Sequence, residues 1–170
     1  MSMAQVDVLR PEGFRRVARW LVERGHRHEP RWLETSVRTC EEAATALEVQ
    51  TGQIAKSVIF RRLVDGVAVL VVTSGDRRVD LHKVAVQLGL APTDLGRADA
   101  AFVKQQTGFS IGGVAPVAHA CTPVVLIDQE LFRFGEVWAA AGHPNGVFCL
   151  APAELVALTG APVADVVQAL

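Results

Sequence analysis

The sequence has few cysteines, no excess of either charge and no long apolar run, and each shortage closes off a class of function. Its three cysteines, Cys40, Cys121 and Cys149, form no C-x-x-C pair and leave an odd thiol in any disulfide scheme. That usage fits a reducing compartment, so the cytoplasm is the expected location. With 17 basic against 18 acidic residues there is no polyelectrolyte surface, and DNA is not an expected partner. No segment reaches the ~18 consecutive apolar residues of a membrane span, and the N-terminus lacks a signal peptide's apolar stretch and cleavage site. No membrane association is expected. Repeats, linkers and low-complexity segments are absent, as are zinc-ligand spacings, so neither a metal nor a cofactor is called for.

What is present is a chain of 170 residues, half of them apolar, long enough to bury one substantial core in one domain. Pro11 to Arg24 has apolar residues at helical spacing (Phe14, Val17, Ala18, Leu21, Val22), with Pro11 suited to N1 and Gly25 to C′. Arg10, Arg15, Arg16, Arg19, Arg24, Arg27 and Arg31 cluster around it, either as a solvated face or as a contact for phosphates. Thr39 and Glu42 make a capping box for a second helix that should stop near Thr51-Gly52. IAKSVIFRRL and VAVLVVT flank Val64-Asp65-Gly66 as the two arms of a hairpin. Helical spacing returns from Asp80 to Leu88 ahead of Gly89, and again from Asp99 to Gln106 ahead of Gly108. TPVVLID, EVWAAA and GVFCL read as strands, and Pro152 opens a last helix that ends before Gly160. Strands outnumber the helices available as crossovers, and one pair is a tight hairpin. The pattern predicts an α+β domain with a mixed, mainly antiparallel, barrel-like sheet surrounded by helices.

QTGFSIGGVAP, from Gln106 to Pro116, concentrates three glycines. It is neither a P-loop nor a dinucleotide fingerprint, because it lacks the spacing, follows a helix and leads through Pro116 into a strand-like segment. Adjacent Gly112 and Gly113 either let backbone N–H groups approach a developing oxyanion or simply form a turn behind a Gly108 cap. Lys56 shares a strand face with Ile54, Val58 and Phe60, so its ammonium either snorkels to solvent or points into a polar pocket. His119 stands two residues from Cys121, an adjacency that fits a half-buried strand pair as well as a nucleophile and its base. His143 lies at the tip of a turn built from Gly142, Pro144, Asn145 and Gly146, either exposed or available for chemistry near neutral pH.

Taken in order, IAKSVIF, TSGDRRVDLHKVA, TGFSIGGVAP and AAGHPNGVF resemble the YbaK/prolyl-tRNA-synthetase-associated domain family of aminoacyl-tRNA deacylases. The likeness runs from about Thr39 to Val163. It suggests a division into an N-terminal helical extension over 1–38, packed on the domain, and a deacylase-like domain over 39–170. The resemblance implies hydrolysis of the ester that joins a wrong amino acid to tRNA, carried out in trans on the 3′ acceptor end, with transient association with a synthetase. Within it, Lys56 matches the family's essential lysine, and Gly112-Gly113-Val114-Ala115-Pro116 matches its G-x-x-x-P loop, with Gly112 leading. His143 takes the late-turn position, joining Lys56 and Gly112 as catalytic candidates. Ser57, Gly113, Val114, Pro116 and Gly142 are the substrate-binding candidates. The GHP form of the turn is similar to branches directed at alanine or other small residues on proline tRNA. The competing expectation is a module that binds an aminoacyl-tRNA end without cleaving it.

Overall fold

Residues 9–170 are described by the structure, a computed structural model. In chain order they form α1 (Glu12–Glu23), β1 (Arg31–Trp32), α2 (Cys40–Leu47), β2 (Ile54–Arg62), β3 (Ala68–Ser74), α3 (Leu81–Leu88) and β4 (Leu95–Arg97). There follow α4 (Ala100–Thr107), β5 (Val124–Asp128), β6 (Val137–Ala140), β7 (Gly146–Leu150), α5 (Pro152–Thr159) and β8 (Val163–Ala164). The strands make a mixed sheet in the order β1-β7-β6-β2-β3-β5-β8, with β4 paired to β2 off this path. The domain is α+β, as expected. Residues 1–8 of the 1–38 extension lie outside the described residues.

β3 explains the layering. All its residues are buried, and its run of Ala68 to Val72 is apolar on both faces rather than alternating. Leu70 and Val72 enter the largest core, which also takes Phe14, Val17 and Leu21 of α1, Phe148 of β7 and Leu155 of α5. Val69 and Val71 enter a second core with Val84 and Ala85 of α3. A third, smaller cluster joins Ala43 and Ala44 of α2 to Ile54, Leu33 and Val147. The sheet is therefore covered on both faces. β2 pairs with β3 as the expected antiparallel hairpin, and β3 pairs with β5 in parallel.

Local chemistry accounts for most helix boundaries. Asp80 and Asp99 cap α3 and α4 by accepting backbone N–H bonds, and Gly89, Gly108 and Gly160 end α3, α4 and α5 in the left-handed region. Three readings need correction. Pro11 is the N-cap of α1 rather than its first helical residue, and Val22 is 54% exposed, outside the apolar stripe. α2 stops at Leu47 because Glu48 adopts φ 58, a left-handed cap without glycine; Thr51–Gln53 is instead a short 3-10 turn. The segment after Pro116 contains no strand until Val124, and His119 is held in an irregular loop by its ring N–H donating to the Ala115 carbonyl. The two- and three-residue strands β1, β4 and β8 are too short to leave a period in the sequence.

Leu70 is fully buried at the centre of the principal core, so Leu70→Ala should destabilise the fold by about 2–5 kcal/mol, measured by denaturant titration.

Candidate functional site

β2 and β6 run parallel but stay paired over only two positions, Ile54 with Trp138 and Ala55 with Ala139. Beyond them β2 continues through Lys56 and Ser57, while β6 ends at Ala140 and turns away. The parting leaves a cavity of about 190 Å³, into which residues from both faces of β2 can reach. The N-terminal end of α2 closes one side with Thr39 and Cys40, and the glycine bend closes another with Gly112 and Val114. Pro144 and Gly146 form the rim from the late turn.

Four of the expected site residues, Lys56, Ser57, Gly112 and Val114, thus line one cavity. Lys56 sits opposite Thr73 in the sheet register, between the cluster that takes Ile54 and the one that Phe60 packs against. It makes no ion pair and no hydrogen bond among the described residues. The hydroxyls of Ser57 and Thr73 and the indole N–H of Trp138 are buried nearby without a partner among the described residues. Buried polar groups are normally satisfied, so such a concentration marks a place built for something polar to enter.

The bend is organised by its own backbone. Gly112 has φ 93, a conformation that costs L side chains but not glycine. The Gly113 N–H donates to the Ser110 carbonyl at 3.0 Å, so it is committed to the turn. The amides of Gly112 and Val114 donate to no group among the described residues. Gly113 has a steric duty instead, because a Cβ there would lie 2.7 Å from the His143 Cα. The two loops of the site are in backbone contact.

The other expected residues lie around this centre. The His143 ring stacks on Trp32 with centroids 4.7 Å apart, and its Nδ1 accepts from the Asn145 N–H at 3.0 Å. The ring is therefore turned to β1, outside the residues lining the cavity, and burial lowers its pKa from the usual 6.5, favouring the neutral form. Gly142, at φ 81, packs its backbone against Gly13 of α1. Pro116 borders a different, larger recess beside Arg16 and Trp20.

Asn145 was not singled out from the sequence, yet its side-chain amide donates to the carbonyls of Leu33 (2.7 Å) and Thr35 (3.1 Å), fastening the irregular segment between β1 and α2. Trp138 and Cys40 were also missed as lining residues; nothing in EVWAAA or the capping motif signals a cavity. Cys40 and Cys149 are not poised as nucleophiles. Burial raises the Cys40 thiol pKa despite the opposing Lys56 charge, and burial with the nearby Glu136 pushes Cys149 up to about 12.

With this geometry in view, comparison with known proteins is specific. The aminoacyl-tRNA editing domain model matches residues 34–158. The chain belongs to the aminoacyl-tRNA editing domain family. It is 39% identical over 123 residues to the uncharacterized protein YwhH of Bacillus subtilis (strain 168), covering 72% of this chain and 76% of that one. It is 30% identical over 96 residues to a proline–tRNA ligase of Thermoanaerobacter sp. (strain X514), covering 56% of this chain and only 16% of the ligase. A crystal structure of a candidate trans-editing enzyme for prolyl tRNA synthetase superposes with a TM-score of 0.86 at 39% identity, over 94% of this chain and 99% of the other. The editing domain here is thus a mixed-sheet α+β unit of the same architecture. No helix among its described residues is long and apolar enough to cross a membrane.

His119 gives the editing domain a predictable pH response. Its ring N–H is committed to the Ala115 carbonyl, and burial, reinforced by nearby Arg16, lowers its pKa from the usual 6.5. The unfolded chain therefore binds the second proton first as pH falls. Stability should be full above pH 6.5 and decline below it, and His119→Asn should show a shallower decline in thermal midpoint between pH 7.5 and 5.5.

Proposed function

We propose that this editing domain is a deacylase that hydrolyses, in trans, the ester of mischarged tRNA, with proline tRNA carrying a small amino acid such as alanine or cysteine as its substrate. The observation that carries the reading is the meeting of an unpartnered lysine, two uncommitted amides and buried orphan polar atoms in one small cavity. Action in trans is supported by the near-complete overlap with the candidate trans-editing enzyme. Proline tRNA is supported by the kinship with proline–tRNA ligases.

The ester carbonyl oxygen gains negative charge as water attacks. The Gly112 and Val114 amides stabilise that charge, and preorganised donors of this kind are worth roughly 3 kcal/mol each. Lys56 anchors the carbonyl or the terminal phosphate with a point charge. The nucleophile is water, oriented by the pocket and by the substrate's own ribose hydroxyl or amine, because burial holds the Cys40 thiol at the cavity protonated. His143 acts at one remove. With Nδ1 engaged by Asn145 and its ring stacked on Trp32, it fixes the turn that packs against Gly113. Walls made by Val37, Ala43, Ala139 and Val147 suit a small side chain. One methylene changes binding by only ~1–3 kcal/mol, which is why a synthetase misloads near-isosteres and a second sieve is useful.

The test is release of amino acid from alanyl-, cysteinyl- and seryl-tRNA carrying the proline anticodon, beside correctly charged prolyl-tRNA. Lys56→Ala should fold normally, since no carboxylate loses a partner, and should slow deacylation by at least roughly 100-fold. Binding of tRNA without release from any mischarged species would replace the deacylase by a binding module. Gly112→Val should lower kcat by roughly 100-fold with little change in KM, because it distorts a loop needed only as charge develops; wild-type kinetics there would remove the oxyanion assignment.

A further inference from the structure

α1 carries a second stripe beside its apolar one. Gly13, Arg16 and Trp20 follow at spacings of three and four along one flank, and this flank meets the loop between α4 and β5. From Arg16, Nη2 donates to the Thr107 carbonyl at 3.1 Å and to the Ala118 carbonyl, while the guanidinium lies 4.9 Å from the centroid of the Phe109 ring. Thr107 is the last residue of α4, and Ala118 is held at φ 64, unusual for a residue with a side chain. One guanidinium therefore ties the two ends of the loop that carries Gly112 and Val114.

The same neck is stapled by the Ala120 N–H to the Thr107 carbonyl (3.1 Å) and the Cys121 N–H to the Gln106 carbonyl (2.9 Å). One turn earlier in α1, Gly13 crosses Gly142 so closely that neither position has room for a Cβ, with Phe109 wedged beside both. α1 thus touches both loops of the candidate site, although the family match begins only at residue 34. Nη2 of Arg16 is turned to two backbone carbonyls and the guanidinium carbon lies over the Phe109 ring, an inward use that differs from the phosphate contact its arginine-rich neighbourhood suggests.

We propose that Arg16 is a positioning residue for the editing reaction: by bridging Thr107 and Ala118 it holds the Gly112–Val114 loop at the geometry that receives the oxyanion. This deepens the deacylase reading and rests on it for its kinetic consequence. The structural consequence stands independently.

The experiment compares wild type, Arg16→Ala and Arg16→Lys in deacylation kinetics over a salt series and in amide hydrogen exchange. Arg16→Ala should lower kcat roughly 10- to 100-fold with KM changed less than about 3-fold and an unchanged salt slope. Exchange at Gly113, Ala120 and Cys121 should accelerate while Val71 in β3 keeps its protection. Arg16→Lys should recover part of both, because one ammonium can donate to both carbonyls. A raised KM with a flattened salt slope would make Arg16 an RNA contact and overturn the proposal. Wild-type kcat and exchange, or equal loosening of β3, would overturn it as well. If wild type releases nothing from any charged tRNA, the deacylase reading falls, and faster loop exchange in Arg16→Ala still decides for the clamp. Should Arg16→Ala fail to fold, Arg16→Gln carries the same comparison with the same criteria.

Discussion

The site depends on the early parting of two parallel strands. Had β6 continued beside β2 past Ala139, the backbone of Lys56 and Ser57 would be paired on that side and the space beside it filled by a neighbouring strand. Because β6 stops and turns, a wedge opens in the sheet itself, and residues that alternate to opposite faces of β2 border the same space. α2, the glycine bend and the late turn then need only close the wedge. Crevices at the ends of parallel strands are common ligand sites for this topological reason.

Closing it requires backbones to come unusually near one another. Gly113 against His143 and Gly13 against Gly142 are contacts no side-chain-bearing residue could make. They join the two loops to each other and to α1, so that the bend carrying Gly112 and Val114 is held on two sides. Preorganisation of this kind matters because donors that must move into place lose in reorganisation what they gain in interaction. Asn145 and Arg16 extend the frame, one fastening the approach to α2 and the other the neck of the bend.

Electrostatics at the site is sparse, and that sparseness is informative. Among the described residues Lys56 stands without a carboxylate, whereas several other cations are tied up: Arg62 with Asp65 at 2.7 Å, Lys83 with Asp165 at 2.9 Å, Arg133 with Asp76 at 3.0 Å. Those exposed pairs contribute little to stability. The buried orphan polar atoms beside this lysine carry a cost, and its compensation is expected from what binds there. The thiol of Cys40 stays protonated next to it because burial outweighs the lysine's influence.

Much of this was legible in the chain itself. The hairpin of β2 and β3, the capped helices α3 and α4 and the glycine-rich bend follow from local rules of period, capping and backbone freedom. Lys56 also stood out, since a lysine on an apolar strand face conflicts with burial. Those same rules misplaced the end of α2, where Glu48 takes a glycine-like cap, and could not register β1, β4 or β8, whose pairing comes only from distant partners. They also grouped Arg16 with arginines that form either a solvated face or a phosphate contact, because a helical period shows which flank a residue occupies and not what lies opposite it. The sequence by itself determined the longer elements and the residue types available for chemistry, since both depend on neighbours within a few positions. Only the tertiary structure decided that Lys56, Gly112 and Val114 share a cavity while the His143 ring turns away to Trp32, because those relations join residues dozens of positions apart through packing that no local period records.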